Sequence, residues 1–296
     1  MGASFFFART SNTTTDCEAR VSASCEFQEI NVDLKLSGKT ALVTGSTAGI
    51  GLAIAQSLAG EGAHVYVNGR TQERVTKAIA EVKKVAAAGA KVEGIVADFA
   101  GAEGADAVTA KLGAVDILVN NVGIFEPKPF AEIPDADWYR LFEVNVMSGV
   151  RLSRAYLPAM LKKNWGRIIF ISSESGVQIP VEMVHYGMTK TAQIAIARGI
   201  AESVAGTGVT VNSVLAGPTE SEGVSVFVES LAKQQNKTKA EFEKEFFQHA
   251  RPSSLLKRFG TVAEVASLVT YLASPLSSAT NGAAVRADGG VVRAIL

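Results

Sequence analysis

From Leu36 onward the chain alternates short apolar runs with longer stretches whose apolar residues recur at helical spacing. Ala41-Leu42-Val43-Thr44 reads as a strand, and Ile50, Leu52, Ala53, Ile54 and Leu58 continue as a buried helix. Further strands are predicted over residues 64–68, 92–97, 116–119, 166–172 and 209–214, with a last strand and turn over 282–290. The run 166–172 is almost wholly apolar, the signature of a central parallel strand buried on both faces. Long helices are predicted over 135–161 and 262–272, and around Tyr186, where Ile194, Ala195, Ile196 and Ile200 recur at helical spacing. This alternation, without domain linkers, predicts one α/β domain. Residues 219–250 break it, being charged, amphipathic and helical without a strand, as in an insertion or lid over a site. Val224, Val226, Phe227, Val228 and Leu231 could form an apolar inner face there or simply pack.

Composition narrows the class. A chain of 296 residues, 47% hydrophobic, can bury one large core. With 29 basic and 29 acidic residues it has no basic stripe for nucleic acid. Its longest apolar stretches are strand-length, so no membrane span is expected. Both cysteines, Cys17 and Cys25, precede the predicted domain, which excludes a disulfide framework there and favours a reducing, cytoplasmic setting. His64, His185 and His249 are too scattered for a metal site. Residues 1–35 show no periodicity and are expected to be a poorly ordered extension, or sequence upstream of the natural start. Organelle targeting is the alternative, since Arg9 and Arg20 lie among Ser and Thr, but Asp16, Glu18, Glu26 and Glu29 oppose it.

The candidate chemistry sits at strand ends. Gly45-Ser46-Thr47-Ala48-Gly49-Ile50-Gly51 lies between a strand and a helix, where glycines admit a pyrophosphate to free helix N–H groups. About twenty residues on, where an acid would grip the ribose 2′-hydroxyl of NAD, stand Gly69 and Arg70, with Arg74 one turn further. A missing acid and added guanidinium suit a 2′-phosphate, so NADP(H) is expected over NAD(H). Asp98 could accept from an adenine amino group or cap a turn. Asn120 and Asn121 could hold neighbouring strands and line a cleft, and Asn145 inside an apolar helix implies a partner. Tyr186 and Lys190 stand four apart on one helix face, with Ser173 at a strand's carboxyl end. A phenol titrates near pH ~10, and an ammonium beside it is expected to bring proton exchange toward neutrality.

Thr44-Gly45-x-x-x-Gly49-x-Gly51, Asn120-Asn121-x-Gly123, Asn145, Ser173, Tyr186-x-x-x-Lys190 and Asp288-Gly289-Gly290 together resemble the short-chain dehydrogenase/reductase family, over residues 36–294. The resemblance implies one doubly wound, Rossmann-type domain with a parallel sheet of about seven strands, usually a homotetramer, acting on a carbonyl or secondary alcohol. It implies Asn145, Ser173, Tyr186 and Lys190 as catalytic. Ser173 would hold the substrate oxygen, Tyr186 would exchange its proton, and Lys190 would bind the nicotinamide ribose. Asn145 would position a water linking Lys190 to solvent. Gly45, Ser46, Thr47, Gly49, Ile50, Gly51, Arg70, Asp98, Asn121, Gly123, Gly217, Thr219 and Ser221 would contact the cofactor beside Tyr186 and Lys190. The family's Pro-Gly is Ala216-Gly217 here, with Pro218 next, and Ser221 stands where a threonine is common. A catalytically silent sensor or scaffold is one rival, though the Asn–Ser–Tyr–Lys set is intact. A 3-oxoacyl-[acyl-carrier-protein] reductase is another. Its carrier-binding positions align with the uncharged Asn164 and Thr207, with Lys162, Lys163 and Arg167 as possible substitutes.

Overall fold

The computed structural model describes residues 32–234 and 237–295, except for the side chains of 226, 227, 230, 231, 233 and 234. The expectations for residues 1–31, including Cys17 and Cys25, and for the side chains of Val226, Phe227 and Leu231 lie outside the described residues. Seven parallel strands form one sheet: β1 (Thr40–Val43), β2 (His64–Gly69), β3 (Val92–Val96), β4 (Ile117–Asn120), β5 (Gly166–Ser173), β6 (Val209–Ala216) and β9 (Ala284–Ala287). Their spatial order is β3-β2-β1-β4-β5-β6-β9. The chain therefore builds outward from β1 to β3, then crosses back to lay β4 on the other side of β1. That reversal opens a crevice at the carboxyl ends of β1 and β4, where open α/β sheets bind ligands.

Side chains alternate across the sheet as the period of two demands. Ala41, Val43, Ile117, Val119, Ile169 and Ile171 face a core shared with α1 (Gly49–Gly60) and α9 (Val262–Ala273). Leu42, Leu118, Ile168 and Phe170 face the opposite core. There they meet Val108 of α3 (Ala102–Lys111), Leu152 and Tyr156 of α5 (Ser148–Lys163), and Ala197 of α6 (Val184–Ser203). With α2 (Gln72–Lys83) packed beside α1, the sheet is helix-covered on both faces, as the apolar run of β5 requires. All eight residues of β5 are buried.

Two expectations need refinement. The long helix before β5 consists of α4 (Asp135–Phe142) and α5, joined by a π-helical turn over Glu143–Met147 that contains Asn145. The region 219–250 was expected to lack a strand, yet β7 (Thr219–Glu220) opens it and pairs with β8 (Gly260–Thr261). Beyond β7 come α7 (Glu222–Gln234), α8 (Lys239–Glu245) and a π-helical turn over Phe246–Ala250. Val228, Phe247 and Phe259 form a small apolar cluster of their own, with the three phenylalanine rings 246, 247 and 259 mutually within 5.3 Å. The segment thus carries its own packing.

Leu42 is fully buried in the sheet centre, so Leu42→Ala should lose about 2–5 kcal/mol of stability in urea titrations. A loss below about 1 kcal/mol would place that strand outside the core.

Candidate active site

The first group of site residues gathers where β1 and β4 end. Gly45 and Gly49 adopt positive φ (61° and 56°), turning the chain from β1 into α1. A Cβ on Gly51 would lie 2.4 Å from Asn121 Nδ2 and 2.5 Å from the Gly45 carbonyl oxygen, so only glycine fits. Asn121 Nδ2 donates to the Thr44 and Gly45 carbonyls (2.9 and 3.1 Å), and its backbone N–H donates to Thr44 Oγ1 (2.9 Å). Asn121 therefore ties β4 to the glycine loop. Asn120 Nδ2 bonds Ser153 Oγ at 3.1 Å. The first turn of α1 has neither a side-chain cap nor an acidic residue, so its N–H groups and positive dipole end face the crevice.

Several predicted cofactor residues turn out to have structural partners. Ser46 is fully buried; its hydroxyl donates to the Val43 carbonyl (2.7 Å) and accepts from Asn68 N–H (2.9 Å), which keeps that side chain out of the crevice. Asp98 Oδ1 accepts from Ala100 N–H at 3.1 Å, which is the turn-capping alternative. Gly69 packs so closely on Thr47 that an added Cβ would lie 2.3 Å from its methyl group. An acidic side chain therefore has no room at residue 69. Arg70 and Arg74 are exposed and, among the described residues, neither guanidinium has a hydrogen-bond or ion-pair partner. At the far side of the crevice, Thr219 Oγ1 donates to the Gly217 carbonyl (2.9 Å). Ser221 Oγ accepts from Val224 N–H (3.4 Å), and its Cβ lies 3.1 Å from where a Gly49 Cβ would stand. The segment 219–250 thus begins against the glycine loop.

The second group gathers at the end of β5. Ser172 Oγ donates to the Lys190 carbonyl (2.8 Å), and Thr191 Oγ1 donates to the Gly176 carbonyl (2.7 Å), fixing α6 against the strand end. Tyr186 and Lys190 share a face of α6, with Lys190 Nζ 5.6 Å from the centre of the tyrosine ring. Lys190 is buried, and its ammonium donates to the Ile171 carbonyl (2.9 Å) and to Gln193 Oε1 (3.2 Å). Gly123 lets the backbone pass beside it, since a Cβ there would stand 3.4 Å from Nζ. Asn145 Oδ1 accepts from Ile124 N–H (2.7 Å), while Nδ2 donates to the Ile124 carbonyl (2.9 Å) and Thr189 Oγ1 (3.0 Å). Sequence reading anticipated a partner for Asn145. It missed Gln193, whose one signal was its place one turn beyond Lys190.

The electrostatics overturn one expectation. Lys190 was expected to draw the phenol toward neutrality, but burial pushes Tyr186 up to about 12, against the opposing pull of the Ser173 hydroxyl. Burial likewise lowers Lys190 to about 8. The protein's own groups therefore hold a neutral phenol beside a mostly protonated lysine at pH 7, because burial disfavours the charged form of each.

Glu174 and Arg251 are a further pair that sequence reading missed as a pair, being 77 positions apart. Both are buried, and Arg251 Nε donates to Glu174 Oε1 at 2.9 Å. Arg251 also reaches Glu182 (3.3 Å), so one guanidinium ties the residue after Ser173 to the loop before α6 and to the segment after α8. Burial raises the Glu174 carboxyl's pKa, with Arg251 pulling it back. His185 is also buried; it packs edge-on against Trp138, ring centres 5.8 Å apart, and neither ring nitrogen has a partner among the described residues. Among the described residues no cluster of acids, histidines and cysteines could hold a metal ion, and no helix is long and apolar enough to cross a membrane.

Residues 39–232 match the family model of the short chain dehydrogenases. The oxidoreductase YvaG of Bacillus subtilis is 51% identical over 262 residues, covering 88% of this chain and 99% of the relative. The 3-oxoacyl-[acyl-carrier-protein] reductase FabG of Aquifex aeolicus is 34% identical, covering 88% and 100%. Among solved structures, L-sorbose reductase of Gluconobacter frateurii, complexed with NADPH and L-sorbose, superposes with a TM-score of 0.83 at 30% identity, covering 89% of this chain and 100% of that one. The chain thus combines a doubly wound sheet, a glycine loop after β1, and Ser173, Tyr186 and Lys190 grouped at the carboxyl end of β5. This chain belongs to the short-chain dehydrogenase/reductase family, which acts on alcohol and carbonyl groups.

Replacing Arg251 by methionine would leave the Glu174 carboxylate buried and unpaired, destabilising the fold by about 3–5 kcal/mol. The raised carboxyl takes up its proton more readily in the folded than in the unfolded chain, so stability is favoured at low pH and lost as pH rises through the folded value. The Arg251→Met protein should therefore melt at higher temperature at pH 5 than at pH 7, relative to wild type.

Proposed function

We propose that this protein is an NADP(H)-dependent reductase of a small carbonyl compound, with Tyr186 as proton donor and Asn145, Ser173 and Lys190 completing the site. The observation that carries this reading is the placement of Tyr186 over the buried Lys190 ammonium, beside Ser173 at the carboxyl end of β5. The crevice fits a dinucleotide phosphate: its donors are the unpaired N–H groups at the start of α1, and no acidic side chain faces them from the first turn. The backbone of Gly45, Thr47, Gly49, Ile50 and Gly51 would hold the pyrophosphate, and Arg70 with Arg74 the 2′-phosphate. Asp98, Asn121, Gly123, Gly217, Thr219 and Ser221 would line the remainder, and Lys190 would reach the ribose. When bound, the nicotinamide supplies the hydride.

The protein's own part is placement and proton supply. Ser173 holds the substrate oxygen and Tyr186 gives that oxygen its proton as negative charge develops there. The Lys190 ammonium then stabilises the phenolate left behind. A phenol pushed up to about 12 is a donor throughout the neutral range, which favours reduction as the working direction. The segment 219–250 serves as a lid, since Ser221 starts it against Gly49 and Arg251 ends it against Glu174. The exposed Phe130 and Tyr139 near α4 are suited to a homo-oligomeric contact, dimer or tetramer.

The acyl-carrier alternative is less well supported. Asn164 and Thr207 precede β5 and β6, while Ser173 ends β5, so an eight-residue strand of roughly 26 Å separates them from the catalytic end of their own chain. Lys163 pairs with Asp116, and Arg167 is buried against the Gly166, Gly208 and Ser274 carbonyls. Neither is placed to hold an acidic carrier.

The test is NADPH- and NADH-dependent reduction of L-sorbose and a panel of small ketones and aldehydes, followed by nicotinamide absorbance. Tyr186→Phe should lower kcat by about 10²–10⁴-fold while NADPH still binds, and full activity in that variant would overturn the assignment. Turnover should decline as pH rises through about 8, where Lys190 loses its charge. The double variant Arg70→Ala/Arg74→Ala should weaken NADPH about tenfold or more and leave NADH nearly unchanged; equal loss for both would refute the 2′-phosphate role.

A further inference from the structure

The resemblance to the family implied that Asn145 holds a water connecting Lys190 to solvent. In this chain a side chain, that of Gln193, links Lys190 to the Asn145 backbone carbonyl. Gln193 lies three residues after Lys190 on α6, is buried, and uses both ends of its amide. Its Oε1 accepts from Lys190 Nζ at 3.2 Å, and its Nε2 donates to the Asn145 backbone carbonyl at 2.6 Å. That carbonyl lies in the π-helical turn over Glu143–Met147. A π-turn displaces the hydrogen-bond ladder by one residue, which leaves carbonyls able to accept from elsewhere. The second acceptor of Lys190 is the Ile171 carbonyl of β5. The ammonium is therefore held between β5 and a glutamine that reaches across to the π-turn.

We propose that Gln193 is a positioning residue of the catalytic site: its side chain fixes the Lys190 ammonium below Tyr186 by tying it to the π-turn. An uncharged amide that donates at one end and accepts at the other holds its neighbours but has no proton to hand on. Tyr186 is the titratable group packed against Lys190, while Glu174 and Arg251 are the charged groups that act on the tyrosine. From β5 and the π-turn, Lys190 meets only uncharged groups, namely the Ile171 carbonyl and, through Gln193, the Asn145 carbonyl. Gln193 therefore decides whether the lysine has a neutral or a charged neighbour.

The inference rests on the reading of Tyr186 as proton donor, and its test has a readout that needs no substrate. The Lys190 ammonium is titrated by NMR in lysine-labelled protein, with Lys190→Met providing the assignment. Gln193→Glu has nearly the shape of the native side chain and places a carboxylate against Nζ. It should raise the Lys190 midpoint by about 1–3 pH units from its wild-type position, and move the alkaline fall in reductive kcat by the same amount. Gln193→Leu keeps the volume but removes both bonds; kcat should drop about tenfold with KM for the carbonyl substrate within about twofold. A Lys190 midpoint identical in wild type and Gln193→Glu, or an unchanged kcat in Gln193→Leu, overturns the proposal. Thermal melts and NADPH binding establish that each variant is folded, and Gln193→Leu alone decides if the glutamate variant is not. Tyr186→Phe separates the two levels. Its retained activity sinks the proton-donor reading, whereas its inactivity with unmoved Gln193 variants sinks only the glutamine's role.

Discussion

The active end of this protein depends on keeping an ammonium dry. Lys190 is buried beneath a half-buried tyrosine, and among the described residues two neutral oxygens, from Ile171 and Gln193, accept hydrogen bonds from it. Burial of that kind disfavours charge on both partners, so it keeps the phenol protonated and leaves the lysine close to losing its proton. The surroundings are built to tolerate this. Gly123 brings backbone rather than a side chain beside the ammonium, Ser172 pins α6 through the Lys190 carbonyl, and Asn145 braces Ile124 against Thr189. Each tie joins a different element, and together they fix one atom.

The remainder of the fold serves the same end. The seven-stranded sheet has two apolar faces because helices cover both, and its strand order reverses between β1 and β4. That reversal opens a crevice, and the glycine loop forms its lip while Asn121 stitches the lip to β4. Ser173 ends β5 two strands from β1, so the glycine loop and the Ser173, Tyr186 and Lys190 group lie at the same carboxyl edge of the sheet. Across the site, Arg251 joins Glu174, Glu182 and the segment following α8, coupling the catalytic strand to the helical region above it.

Much of this was legible in the chain. The short, continuous apolar runs of β1, β4 and β5 and the helical spacing around Tyr186 are local patterns, and burial in a two-faced sheet or on a helix face imposes them directly. The glycine loop was equally plain, since positive φ at Gly45 and Gly49 and the contact at Gly51 exclude other residues. The absence of an acid after β2 was visible, but its reason, Thr47 lying against Gly69, was not. Ser46 forms a buried bridge and Asp98 gives one carboxylate oxygen to a turn cap, because small polar side chains satisfy whichever backbone group is nearest.

What sequence alone determined, then, was the class of fold and the identity of the chemical groups, because both follow from residue types at short, regular spacings. Tertiary structure decided their chemical state. Whether Lys190 makes Tyr186 acidic depends on how far water is excluded, and spacing along a helix says nothing of that. The Glu174–Arg251 pair and the reach of Gln193 to Asn145 join residues 77 and 48 positions apart, and only the packing of helices onto the sheet brings such groups within a hydrogen bond of each other.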